Sequence, residues 1–209
     1  MIFIALLISV NIILTRFLAI SVDQNMRFSL NFIPIVVTAF IFGPWAAAVM
    51  AMVSDIIGMF FSPYGIAGLS PGITICQGLI GLIFGFMFYK KSVFQTSGSP
   101  VLRKFGRISI AVLLQGVIVS YFLMSLTLAF MKVMASTKTG WLGIFVNMFN
   151  KEYMAPVIQL AKEQFAAYLA LNLFSRFIQN AIMIPIEILV IFSMLYVINP
   201  LKKIAGTKP

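Results

Sequence analysis

The chain has 209 residues, 61% of them hydrophobic and 10% charged, with a mean hydropathy of +1.06. A soluble domain of that size cannot hide so much apolar surface, so the bilayer must be its solvent. The net charge of +10 sits in the connections between apolar runs, where it sets topology and speaks for no nucleic-acid partner. With no His and one Cys, His-based acid–base chemistry, His metal ligands and Cys clusters are excluded.

The first apolar run, 2–20, has no basic leader and no small-x-small cleavage site, and reads as a retained first span. On it Ala5 and Ser9 lie four residues apart on one face, a small-residue pair that lets another helix approach closely. Similar pairs recur at Ala47–Ala51, Ser54–Gly58 and Gly81–Gly85, where internal packing is the expected use. The segment 21–31 then faces outside and carries Arg27 and Phe28. A second span, 32–43, is short for a hydrocarbon core of about 30 Å. It ends at Gly43-Pro44, a turn signal that also opens the next helix, because Pro suits a first helical turn.

The third span, 44–61, holds Ser54 and Asp55. Asp55 is the single charge between Phe32 and Tyr89. A carboxylate at that depth is costly to insert, so it either lines a ligand site or bonds a neighbouring helix. The outer segment 62–71 carries Tyr64, and a fourth span covers 72–89. Cys76, within it, reads as a small packing residue.

Lys90, Lys91, Arg103, Lys104 and Arg107 share the next connection, and Lys202, Lys203 and Lys208 form the tail. Both groups belong in the cytoplasm. Two more spans fit between them, at 108–133 and 166–198, which makes six crossings with both termini inside. The intervening segment, 134–165, contains Trp141 and the amphipathic stretch KEYMAPVIQLAKEQF, read as a surface helix over the outer face. The last span brings Arg176, with Gln179 and Asn180 about one turn further along, and Glu187 after Pro185. A guanidinium above two amides suits carboxylate and heterocycle edges.

Each of these residues also has a plainer role. Arg27 and Arg176 can anchor at the interface, Tyr64, Trp45 and Trp141 can belong to an aromatic belt, and Glu187 can bond a kinked helix or cap a neighbour. No phosphate-cradling GxxxxGK[ST] motif occurs, so ATP-driven transport would take its ATPase from another subunit. No linker, soluble domain or internal repeat is visible, leaving one transmembrane domain over 1–209 and no metal or cofactor site.

The order of motifs resembles the substrate-binding S components of energy-coupling factor (ECF) transporters, most closely their folate-specific branch. The matching elements run from Arg27 to Ile35, through Gly43-Pro44, Ser54-Asp55 to Gly58, and Pro71-Gly72 to Thr74. They continue with Arg176, Asn180 and Pro185-Ile186-Glu187. The resemblance implies an all-α bundle of six transmembrane helices with cytoplasmic termini, embedded in the lipid of the cell membrane. It implies capture of a vitamin from outside and docking on a transmembrane coupling protein that carries two ABC-type ATPases. The family docks through an Ala-x-x-x-Ala pair on the first helix, which here reads Ala5-x-x-x-Ser9. The stretch around 145–165 is longer than the family pattern.

Folate, a flat pterin with an anionic glutamyl tail, suits the outer residues. Arg27 and Arg176 are expected to take carboxylates, and Phe28, Tyr64 and Trp141 to stack on the ring. Ser54, Asp55 and Asn180 are expected to meet polar edges. The alternatives are an S component for another vitamin or a tRNA-base precursor, and a self-sufficient secondary transporter, a class that often shows repeats.

Overall fold

The computed structural model describes residues 2–21, 27–61, 71–89, 100–136 and 151–204. Helices α1 (Ile2–Arg16), α2 (Phe32–Phe42), α3 (Pro44–Met59) and α4 (Pro71–Phe88) come first. They are followed by α5 (Pro100–Leu114), a π-helical segment (Gln115–Leu123), α6 (Met124–Ser136) and α7 (Lys151–Ile204). The α5–π–α6 run is unbroken. Strands β1 (Ile20–Ser21) and β2 (Arg27–Phe28) pair antiparallel, Ile20 opposite Phe28 and Ser21 opposite Arg27. Two-residue strands leave no alternation to read, so this ladder was not foreseen.

Each apolar run expected to span falls on one of these helices. Among the described residues, three helical segments, Pro71–Phe88, Phe105–Val133 and Lys162–Met194, are long and apolar enough to cross a bilayer. Helices α1, α2 and α3 are apolar but shorter, at 15, 11 and 16 residues. The rise of α2 is only about 16 Å. Its end is set by Gly43, whose φ of 95° lies in the left-handed region that suits glycine. The Gly43 amide closes the helix on the Ala39 carbonyl at 3.2 Å, and Pro44 opens α3 at once.

Helices α3 and α4 then run antiparallel with their backbones in near contact. A Cβ on Gly81 would stand 2.7 Å from the Ala47 carbonyl carbon, and one on Gly85 would fall on Pro44. The small-residue pairs Ala47–Ala51 and Gly81–Gly85 are therefore internal packing faces. Without a hydrophobic drive between helices in lipid, such close approach is a main source of cohesion.

The core runs through Ile35, Val36, Met50, Phe84, Val112, Val119 and Ile191, all at 1% exposure or less. Outward residues are apolar too, among them Phe86, Phe122, Phe174 and Leu189. A bundle apolar both inside and out is one solvated by lipid.

Helix α7 packs antiparallel along the α5–π–α6 run. Phe192 meets Phe105 with ring centroids 6.0 Å apart, Asn180 meets Gly116, and Lys132 lies 5.8 Å from the Tyr168 ring centre. The stretch 151–165, expected to lie as a separate surface helix, is instead the beginning of α7, one helix of 54 residues. LAKEQFAAYLAL offers only helix-compatible residues and no glycine at the expected break, so the helix simply continues.

Candidate functional site

One end of the bundle gathers the polar residues. The C-terminal ends of α1 and α3, the N-terminal ends of α2 and α4, and the β1–β2 ladder meet there. At that end Asp55 of α3 is held from two sides. Its Oδ2 accepts a hydrogen bond from the Thr74 hydroxyl of α4 at 2.8 Å, and its Oδ1 lies 3.4 Å from Arg16 Nη2. Both charged side chains are mostly buried, at 13% and 14% exposure. Gly58, one turn beyond Asp55, makes room for the guanidinium, since a Cβ there would come within 2.9 Å of Arg16 Nε.

Deeper along the same contact, Asn11 Nδ2 donates to Ser54 Oγ, which donates in turn to the Ala51 carbonyl at 2.9 Å. Asp55 and Ser54 thus tie α1, α3 and α4 together, and the membrane-embedded carboxylate has its counter-charge. Arg16 was missed in the sequence reading. The available signal was a lone cation closing the first apolar run, opposite in sign to the lone anion of the third.

On the other side of α4 the pattern differs. Arg176 of α7 donates from Nη1 to Gln179 Oε1 at 3.0 Å, while its buried Nε has no partner. Cys76 of α4, 1% exposed, lies against Thr127 of α6 and within electrostatic range of Arg176. Among the described residues no carboxylate pairs with Arg176.

Asn180, expected to share a ligand with Arg176, is engaged elsewhere. Its Nδ2 donates to the Gly116 carbonyl at 3.1 Å, and its Oδ1 accepts from Ser120 Oγ at 2.9 Å. Both partners belong to the π-helical segment, where wider backbone turns often mark functional positions. Glu187 is 8% exposed with Oε2 unpartnered, and the bond to a neighbouring helix expected of it is not made among the described residues.

Phe28 is half-buried on β2, which lies against α7. The backbone of Arg27 pairs with Ser21, while its side chain lies outside the described residues, as do Tyr64 and Trp141. Asn31, at the start of α2, lies 3.4 Å from Gln77 of α4. Ala5 and Ser9 are exposed on α1, towards the opposite end, and Ser9 Oγ turns back to the Ala5 carbonyl at 3.1 Å. That leaves a low, smooth patch. Among the described residues no three His, Cys, Asp or Glu side chains converge as metal ligands.

A helical bundle apolar inside and out, with amides and a part-buried cation between α4, α6 and α7, has the make-up of an integral-membrane helical protein. The chain belongs to the family of substrate-specific components of ECF transporters, which it matches over residues 1–196. It is also similar to the folate transporter FolT of Clostridium novyi (strain NT), at 36% identity over 93 residues. That alignment covers 44% of this chain and 52% of the relative, so the chain spans about half the length of the curated relative it matches. A crystal structure of FolT bound with folic acid superposes with a TM-score of 0.60 at 26% identity. It covers 91% of this chain and 89% of the other.

Proposed function

We propose that this chain captures folate outside the cell and delivers it through an ATP-driven ECF complex. The observation that carries the proposal is Arg176. It is a cation set in the bundle with an unpartnered Nε and no carboxylate opposite it among the described residues, because Asp55 is taken by Arg16. An uncompensated guanidinium in a membrane protein calls for an anionic ligand, and the glutamyl tail of folate supplies one. The similarity to a folate transporter and to a folic-acid-bound structure supports the same ligand.

In this reading Arg27 is the second carboxylate ligand, and Phe28, Tyr64 and Trp141 stack on the flat ring. Asp55, Ser54 and Asn180, each bonded to a neighbouring helix, fix the helices that wall the site. The chain crosses the cell membrane six times, α1 to α3 spanning with the help of their neighbours, and both termini are cytoplasmic. The exposed Ala5–Ser9 face of α1 docks on the transmembrane coupling protein, and two ABC-type ATPases hydrolyse ATP.

Titration of the purified protein with folate tests the reading. Saturable binding at one folate per chain is expected. Uptake by cells should require coexpression of an energy-coupling module. No binding of folate alongside tight binding of another vitamin would overturn the choice of ligand, and full uptake by the chain alone would overturn the role as a subunit.

A further inference from the structure

Along α7, Asn172, Arg176 and Gln179 follow the spacing of one helix face. Opposite Asn172, on α6, stands Ser125. Both are wholly buried, at 0% exposure. Among the described residues, Asn172 Nδ2 reaches only the Ser125 main-chain carbonyl, at the limiting distance of 3.5 Å, and its Oδ1 has no partner. Ser125 Oγ has none either, nor has Arg176 Nε one turn further along α7. Buried polar atoms are nearly always satisfied, and Ser and Asn in membrane helices ordinarily bond across to a neighbour. Three unsatisfied atoms within two turns of one helix contact therefore call for a partner.

We propose that Asn172 and Ser125 form a subsite that reads a lactam edge of the ligand's heterocycle, the 2-amino-4-oxo pyrimidine face common to pterins and guanine. The inference rests on the folate reading above and adds a residue pair to it. The chemistry fits group by group. A carboxamide presents an acceptor and a donor side by side, which complements the C=O and N–H of a lactam. The Ser125 hydroxyl can accept from an exocyclic amine or donate to a ring nitrogen. A site built to hydrogen-bond such an edge discriminates strongly, because a ligand lacking it leaves buried groups unpaired.

The test compares Asn172→Leu, Asn172→Ser and Ser125→Ala with the parent chain, titrating each with folate, guanine and p-aminobenzoylglutamate, the tail without a pterin. Asn172→Leu should weaken folate about 10- to 100-fold. It should leave binding of p-aminobenzoylglutamate unchanged and not lower the detergent melting temperature, since an unsatisfied amide has been removed. Ser125→Ala should weaken folate several-fold in the same selective way. Should Asn172→Leu fail to fold, Asn172→Ser and Ser125→Ala decide the matter.

Unchanged folate affinity in the folded variants would overturn the subsite and assign both groups to internal water or packing. An equal loss for folate and for the tail fragment would also overturn it. If the parent chain bound no folate but bound guanine in an Asn172-dependent way, the ligand of the functional reading would fall and the subsite would stand.

Discussion

The two sides of α4 handle charge in opposite ways. Towards α1 and α3, Asp55 is matched by Arg16 and bonded by Thr74, and Ser54 is matched by Asn11. Towards α6 and α7, among the described residues, Arg176 has only an amide partner, and Asn172, Ser125 and Arg176 Nε keep unsatisfied atoms. The first side carries an ion pair that holds helices together, although Asn11 Oδ1 and Arg16 Nε lack partners there among the described residues. The second holds a part-buried cation with no carboxylate opposite it among the described residues, a costly arrangement in a membrane interior. On the proposed reading, ligand recognition falls on the α6–α7 side, whereas in the sequence the isolated Asp55 draws the eye.

The largest effect that can break this comparison is on stability. Arg16→Ala or Asp55→Ala leaves one mostly buried charge alone, and breaking such a pair typically destabilises by about 3–5 kcal/mol. Thermal unfolding in detergent should show that loss for either single change. Most of it should return when both residues are replaced, by Arg16→Met with Asp55→Asn. If Arg16→Ala melted like the parent chain, the pair would not be holding α1 to α3.

The smallest effect on the purified protein is expected at the far end of α1. Ala5 and Ser9 are exposed on α1, before Asn11 and Arg16, which bond to α3. Replacing both with Leu should leave melting and folate affinity unchanged, while uptake in cells carrying the coupling module is lost. A parallel fall in binding, stability and uptake would mean the pair packs within the bundle. Full uptake would mean docking uses another face.

Much of the scaffold is legible in the sequence because lipid imposes simple rules. Long apolar runs mark helices, Gly43-Pro44 marks a turn that only a glycine with positive φ followed by a proline makes so tightly, and the Gly81–Gly85 spacing marks a close contact. What stayed hidden depends on which helices are neighbours. Arg16 and Asp55 are 39 residues apart in the chain. Their pairing needs α1 and α3 side by side and parallel, which no periodicity encodes.

The amides of α7 show the same limit. Asn180 and Arg176 lie within one turn in sequence, yet the first turns to the π-helical segment and the second does not. Asn172 and Ser125 look like ordinary small polar residues in apolar runs until the α6–α7 contact leaves their oxygens unmatched. The continuation of α7 back to Lys151 was missed for another reason. An amphipathic pattern indicates a helix but not whether it bends away from the one that follows.

On the proposed reading, Arg176 has an amide partner and no carboxylate among the described residues because the ligand's carboxylate completes it. The direct measurement is the dissociation constant of folate, set against that of a pterin lacking the glutamyl tail, for the parent chain and for Arg176→Gln. A charged hydrogen bond in such a site is worth about 1.5–3 kcal/mol, or roughly ten- to hundredfold in affinity. The parent chain should prefer folate by that factor, and Arg176→Gln should lose the preference while binding the tail-less pterin unchanged. An undiminished preference for folate in the folded variant would contradict the account and return Arg176 to a purely structural place in the bundle.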